Sequence, residues 1–99
     1  MTHQESRAWD LYNLLMAAPD KWWTQEEIFD NVTGYSFYYY RGKNDKCPDI
    51  REDVLWLNNN VEVKKIVVVD KYRYKIANRE EARAYYKQRI NRLKTQVKM

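Results

Sequence analysis

Apolar side chains recur along this chain with two different periods, and the change of period divides it into elements. Between Glu5 and Ala18, Trp9, Tyr12, Leu15 and Met16 fall at helical spacing, with Ala8 and Leu11 widening the stripe. Pro19-Asp20 ends this first helix, because a residue preceding proline is pushed out of helical geometry. Trp22-Trp23 is long enough for a bridging strand at most, and the pair is expected to plug a small core. Thr24-Gln25-Glu26-Glu27 is a capping box that starts a second helix running to about Thr33, with Ile28, Phe29 and Val32 on its inner side. Pro48 suits the first turn of a third helix over Asp49–Asn59, striped by Ile50, Val54 and Leu57, and Asn58, Asn59 and Asn60 close it.

Beyond Asn60 the period falls to two. Val61–Val69 and Tyr72–Ala77 read as strands joined by an Asp70-Lys71 turn, with Val67 and Val69 set against the Tyr72, Tyr74, Ile76 face and Arg73 and Lys75 on the other. From Arg79 to Met99 no Gly or Pro interrupts a long helix. Its Tyr86, Ile90, Leu93 and Val97 are spaced four, three and four. That stripe either packs back on the first helix or forms the seam of a homodimer. The expected organisation is one α+β domain over 1–99, with a core at 5–78, a hairpin at 61–77 and a basic helix at 79–99.

Gly34–Lys46 breaks both periods. Tyr35, Phe37, Tyr38, Tyr39 and Tyr40 precede Arg41, Gly42, Lys43, Asn44, Asp45 and Lys46. Tyrosines beside Arg and Lys suit stacking on bases or gripping a protein, and loops carry function more often than core elements do. The opposing expectation has two or three of Tyr35, Tyr38, Tyr39 and Tyr40 packing as a lid on the core. The first reading requires at least two of those four to be exposed.

Charge changes the picture more than composition does. The net charge of +4 hides a gradient: −4 over residues 1–33, zero over 34–60, +3 over 61–78 and +5 over 79–99. Such asymmetry favours an anionic partner for the C-terminal half. Lys64, Lys65, Lys71, Arg73 and Lys75 are candidates for phosphates, joined by Arg41, Lys43 and Lys46 of the aromatic loop. Arg51, Asn58 and Asn59 are the candidates for base edges. With 44% hydrophobic and 15% aromatic residues, the chain is expected to fold. One cysteine, Cys47, and one histidine, His3, give no expectation of a disulfide, a metal or a cofactor. No Gly-rich phosphate loop or nucleophile–histidine pairing predicts an enzyme. The absence of an apolar leader or spanning run predicts a cytoplasmic protein with no membrane partner.

The run Ile50-Arg51-Glu52-Asp53-Val54 and the strand-to-helix junction Tyr74-Lys75-Ile76-Ala77-Asn78-Arg79-Glu80-Glu81-Ala82 resemble winged helix-turn-helix proteins of bacteriophages and prophages. The resemblance spans roughly residues 9–95 and implies a three-helix core, a two-stranded wing and a long basic helix. It also implies double-stranded DNA as partner, in transcriptional regulation or phage replication. Arg73 stands where the family pattern has glycine. The implied recognition helix opens with Asp49, Glu52 and Asp53 around Arg51, and those carboxylates would meet phosphate within the ~8–10 Å screening length. The alternative expectation is therefore a protein-interaction module of the same fold, such as a phage inhibitor of a host nucleic-acid machine, contacting a host protein through the aromatic loop and the acidic helix.

Overall fold

The structure is a computed structural model that describes the backbone of residues 2–35 and 47–97 and the side chains through residue 90. Among the described residues, four helices and a three-stranded antiparallel sheet make a mixed α+β domain. In chain order these are α1 (His3–Ala17), β1 (Trp23–Thr24), α2 (Gln25–Asn31), a 3-10 turn (Thr33–Tyr35), α3 (Pro48–Asn59), β2 (Val67–Asp70), β3 (Arg73–Ile76) and α4 (Arg79–Val97).

One local device starts three of the four helices. In each, an oxygen-bearing side chain accepts from the backbone N–H three residues on, and a glutamate there reaches back. The pairs are Thr2 with Glu5, Thr24 with Glu27 and Asn78 with Glu81. The Thr2 box begins α1 two residues before the apolar stripe predicts. For α3, Cys47 offers no side-chain cap, and its N–H donates instead to Oε1 of the buried Gln25 at 2.8 Å. A buried amide on α2 thus fixes where α3 begins.

The core gathers Ala8, Leu11 and Leu15 of α1, Ile28 of α2, Ile50, Val54 and Leu57 of α3, and Val67, Tyr74 and Ile76 of the sheet. Trp23 is buried with them, whereas Trp22 lies half-buried on the outer face of the sheet beneath Arg73 and Lys75, each 5.1 Å from its ring. The paired tryptophans therefore divide between core and surface, Trp22 lying just before β1 and Trp23 opening it.

The hairpin turns at Lys71-Tyr72, one residue later than the composition suggests. The register sets Val67 against Ile76 and Val69 against Tyr74. A turn at Asp70-Lys71 would have placed Lys65 opposite Ile76; the observed register gives that place to Val67, whose burial outweighs the turn preference. The observed turn holds Lys71 at φ 56°, in the left-handed region. The first strand is correspondingly short: Val61 is 97% exposed, and of residues 61–66 only Ile66 bonds toward β3, accepting from Ala77 N–H, so the expected strand over 61–69 contracts to Val67–Asp70. The sheet also gains a third strand, because Trp23-Thr24 pairs with Tyr74-Arg73.

Among the described residues, helix α4 does not pack its stripe back on α1. Of residues 79–90 only Glu81, Ala82 and Tyr85 are half-buried, while Tyr86 and Ile90 stay about half exposed. It is held by a Lys75–Glu81 ion pair at 2.6 Å and a 2.9 Å hydrogen bond from Arg89 to Asn59. Among the described residues, no helix is long and apolar enough to cross a membrane.

Candidate nucleic-acid interface

Three groups of charged side chains among the described residues differ in environment, and the difference decides which of them can meet a ligand. The first is internal. Asp53 is fully buried, and Arg7 from α1 grips it with two hydrogen bonds, Nε to Oδ2 at 2.7 Å and Nη2 to Oδ1 at 3.1 Å. The Tyr35 hydroxyl donates to the same Oδ2 at 2.5 Å. The Arg7 guanidinium also lies 5.2 Å from the centre of the Tyr35 ring. The hydrogen bond to Asp53 holds the Arg7 guanidinium more firmly protonated than usual. Burial, then the hydrogen bond to Asp53, push the Tyr35 phenol well above its ordinary range.

This cluster corrects two expectations. Asp53 is not on the outer face of α3, so the acidic opening of that helix reduces to the half-buried Asp49 and the exposed Glu52 beside Arg51. Tyr35 is wholly buried and cannot serve as a partner contact, because its hydroxyl is consumed inside the protein. Tyr38, Tyr39, Tyr40, Arg41, Lys43 and Lys46 lie outside the described residues, so the expectation about the aromatic loop stands or falls on them.

The second environment is the outer face of the hairpin, where the expected phosphate grip is largely spent. Arg73 pairs with Asp70 at 2.5 Å, and Lys75 pairs with Glu81 while only 11% exposed. Both also sit over Trp22. The pairing lowers the Glu81 carboxyl below its usual range, chiefly through the hydrogen bond from Lys75. Asn58, expected at base edges, is occupied as well: its carboxamide accepts from Val67 N–H at 2.9 Å and donates to Val67 O at 3.0 Å. Asn59 donates to Leu55 O and accepts from Arg89. Both amides are thus engaged within the protein, Asn58 half-buried and Asn59 exposed, through the same donors and acceptors that base reading uses.

The third environment is a cleft of about 480 Å³ at the foot of α4. Lys64 and Lys65 rise from the segment before β2, Arg79 and Arg83 from the first turns of α4, and Tyr86 closes one wall. All four cations are exposed, no carboxylate lines the cleft, and none of the four forms an ion pair among the described residues. Lys71 at the hairpin tip is also exposed. Sequence reading found Lys64 and Lys65 but not Arg79 and Arg83. The missed signal was the four-residue spacing that puts both arginines on one side of α4, on the cleft that Lys64 and Lys65 also line.

Tyr86, expected in a dimer seam, is thus a wall of this cleft, while Ile90 stands exposed one turn on. The side chains of Leu93 and Val97 lie outside the described residues. Cys47 is buried and free. Among the described residues, no three His, Cys, Asp or Glu side chains gather as a metal site would require. Comparison of the chain with protein-family models, with curated proteins and with solved structures returned no match.

Proposed function

We propose that this protein binds double-stranded DNA, with the Lys64, Lys65, Arg79 and Arg83 cleft as its phosphate grip. The observation that carries the reading is four exposed cations, unpaired among the described residues, around one cleft without a lining carboxylate. Unpaired cations keep their charge for a polyanion and release counterions from it, whereas cations already in ion pairs return little. The order helix, strand, helix, helix, hairpin supports a winged-helix reading of the framework. In that reading α3 presents Arg51 outward for a base edge, and the cleft anchors the adjacent backbone. A phage or prophage regulator of transcription or replication is the setting the family resemblance implies.

The test is duplex binding followed by fluorescence anisotropy across a salt series. Four phosphate contacts predict an affinity loss of about 10²-fold between ~50 and ~200 mM salt. Lys64→Glu with Lys65→Glu and Arg83→Glu abolishes that binding and flattens the salt slope. Arg73→Ala changes little, because Arg73 is already paired. A salt-independent affinity, or equal loss from Arg73→Ala and from the cleft variant, refutes the assignment.

A further inference from the structure

A second concave surface lies on the other side of α4, and its chemistry is different. A groove of about 720 Å³ runs between α3, β2 and α4, with Arg51, Leu55, Val68, Val69, Tyr85 and Gln88 on its walls. Leu55 is 60% exposed and Val69 39%, two of the large apolar side chains that the fold leaves uncovered, and both face this groove.

The floor of the groove is a free strand edge. In the order β1-β3-β2, strand β2 is outermost. Ala77 N–H donates to Ile66 O at 2.8 Å, so in the unbroken register that follows, the backbone groups of Ile66, Val68 and Asp70 point inward to β3. Those of Val67 and Val69 point outward. At Val67 the outward N–H and C=O are both met by the Asn58 carboxamide, which fills the place a neighbouring strand would take. At Val69 the equivalent pair has no hydrogen-bond partner among the described residues. Asn58 thus ends the ladder on one side and leaves one donor and one acceptor exposed beside it. An unpaired strand edge beside exposed apolar side chains is the arrangement that strand addition uses.

The geometry points to a docking site for an extended peptide segment of a partner protein, laid along β2 at Val69, with an apolar side chain on Leu55 and a carboxylate on Arg51. The backbone pair at Val69 selects an extended main chain over a helix, whose own donors and acceptors are internally paired. Charge selects the carboxylate: Arg51 is exposed and outside any ion pair among the described residues, whereas Glu81, the acid of the groove, is tied to Lys75. The groove shares no lining residue with the cationic cleft, which lies across α4, and meets the DNA surface proposed above only at Arg51.

The experiment is selection of short random peptides displayed on phage against the immobilised full chain. A synthetic copy of the enriched sequence is then studied by amide exchange and titration. Enrichment of alternating apolar residues with an Asp or Glu is expected. The synthetic peptide should slow exchange of the Val69 amide at least ~10-fold. N-methylation of its backbone nitrogen facing Val69 should weaken binding by a similar factor, and Arg51→Glu should weaken it at least ~5-fold. Leu55→Glu, at an exposed position where folding is not at stake, should remove binding. Absence of enrichment, binding that survives Leu55→Glu, or an unchanged Val69 amide overturns the proposal. Self-association lost in Leu55→Glu assigns the groove to a second copy, and protection of Val69 by duplex DNA assigns it to nucleic acid; either result overturns it too.

Discussion

Arg7 and Lys64 carry the same charge, yet the α1–α3 interior and the cleft below α4 use it in opposite ways. In the interior, Arg7 is matched to Asp53 by two hydrogen bonds, Tyr35 takes the remaining short contact, and Gly34 lies against the arginine stem. In the cleft, Lys64, Lys65, Arg79 and Arg83 face one another across open space with no acid between them. A matched charge in a low-dielectric interior is committed to the fold, because removing its partner strands a desolvated ion. An unmatched charge in solvent contributes nothing to folding and stays available to a ligand. The paired hairpin cations Arg73 and Lys75 lie between these extremes. Counting positive residues therefore overstates the binding surface, and only pairing shows which of them are free.

The contrast breaks most clearly at Asp53. Arg7→Met should leave that carboxylate buried with only Tyr35 and cost about 3–5 kcal/mol in denaturant unfolding. Adding Asp53→Leu should restore part of the loss, since two apolar groups avoid both desolvation penalties. If the single variant unfolds at the wild-type midpoint, the interior pair is not a structural tether. Gly34→Ala comes next. A Cβ there would stand 2.7 Å from Arg7 Cγ, and the arginine cannot swing aside while its head is held. A destabilisation of about 1–3 kcal/mol is expected, of the size found for overpacking, and it should shrink markedly in the Arg7→Met background.

Two buried tyrosines sharpen the comparison through pH. The Tyr74 hydroxyl is buried without a hydrogen-bond partner among the described residues, and burial pushes its phenol up to about 12. Tyr35 is raised further, by burial and by Asp53. Both folded values lie above the unfolded value near 10, so their contribution is complete below pH 10 and is lost as pH rises above it. Between pH 10 and about 12, unfolding free energy should fall by about 1.4 kcal/mol per pH unit for each tyrosine. Tyr74→Phe should remove its share of that slope at almost no cost near pH 7. Tyr35→Phe should flatten the slope as well but cost about 1–3 kcal/mol at neutral pH, because it takes a donor from buried Asp53. Equal neutral-pH costs for the two would contradict the hydrogen-bond assignment. The smallest stability effect belongs to the cleft. Lys64→Glu with Lys65→Glu should move unfolding by no more than about 0.5 kcal/mol even as duplex affinity collapses.

The amino-acid sequence determined the helices and the sides they bury, because capping residues and apolar spacing act over three or four positions. Thr24 with Glu27, Pro48, and the Ile50, Val54, Leu57 stripe all do what their spacing requires. Even the missed cap at Thr2 was legible as a threonine three residues before a glutamate. Pairing and exposure were decided only in three dimensions. Asp53 looks like one more acid at the head of a helix until Arg7, 46 residues away, closes on it. Asn58 looks like a base reader until Val67 claims both ends of its amide. Arg79 and Arg83 are ordinary helix-surface arginines until the fold sets them opposite Lys64 and Lys65. Such contacts join residues from different elements, so their energies are settled by packing over the whole domain rather than by local spacing.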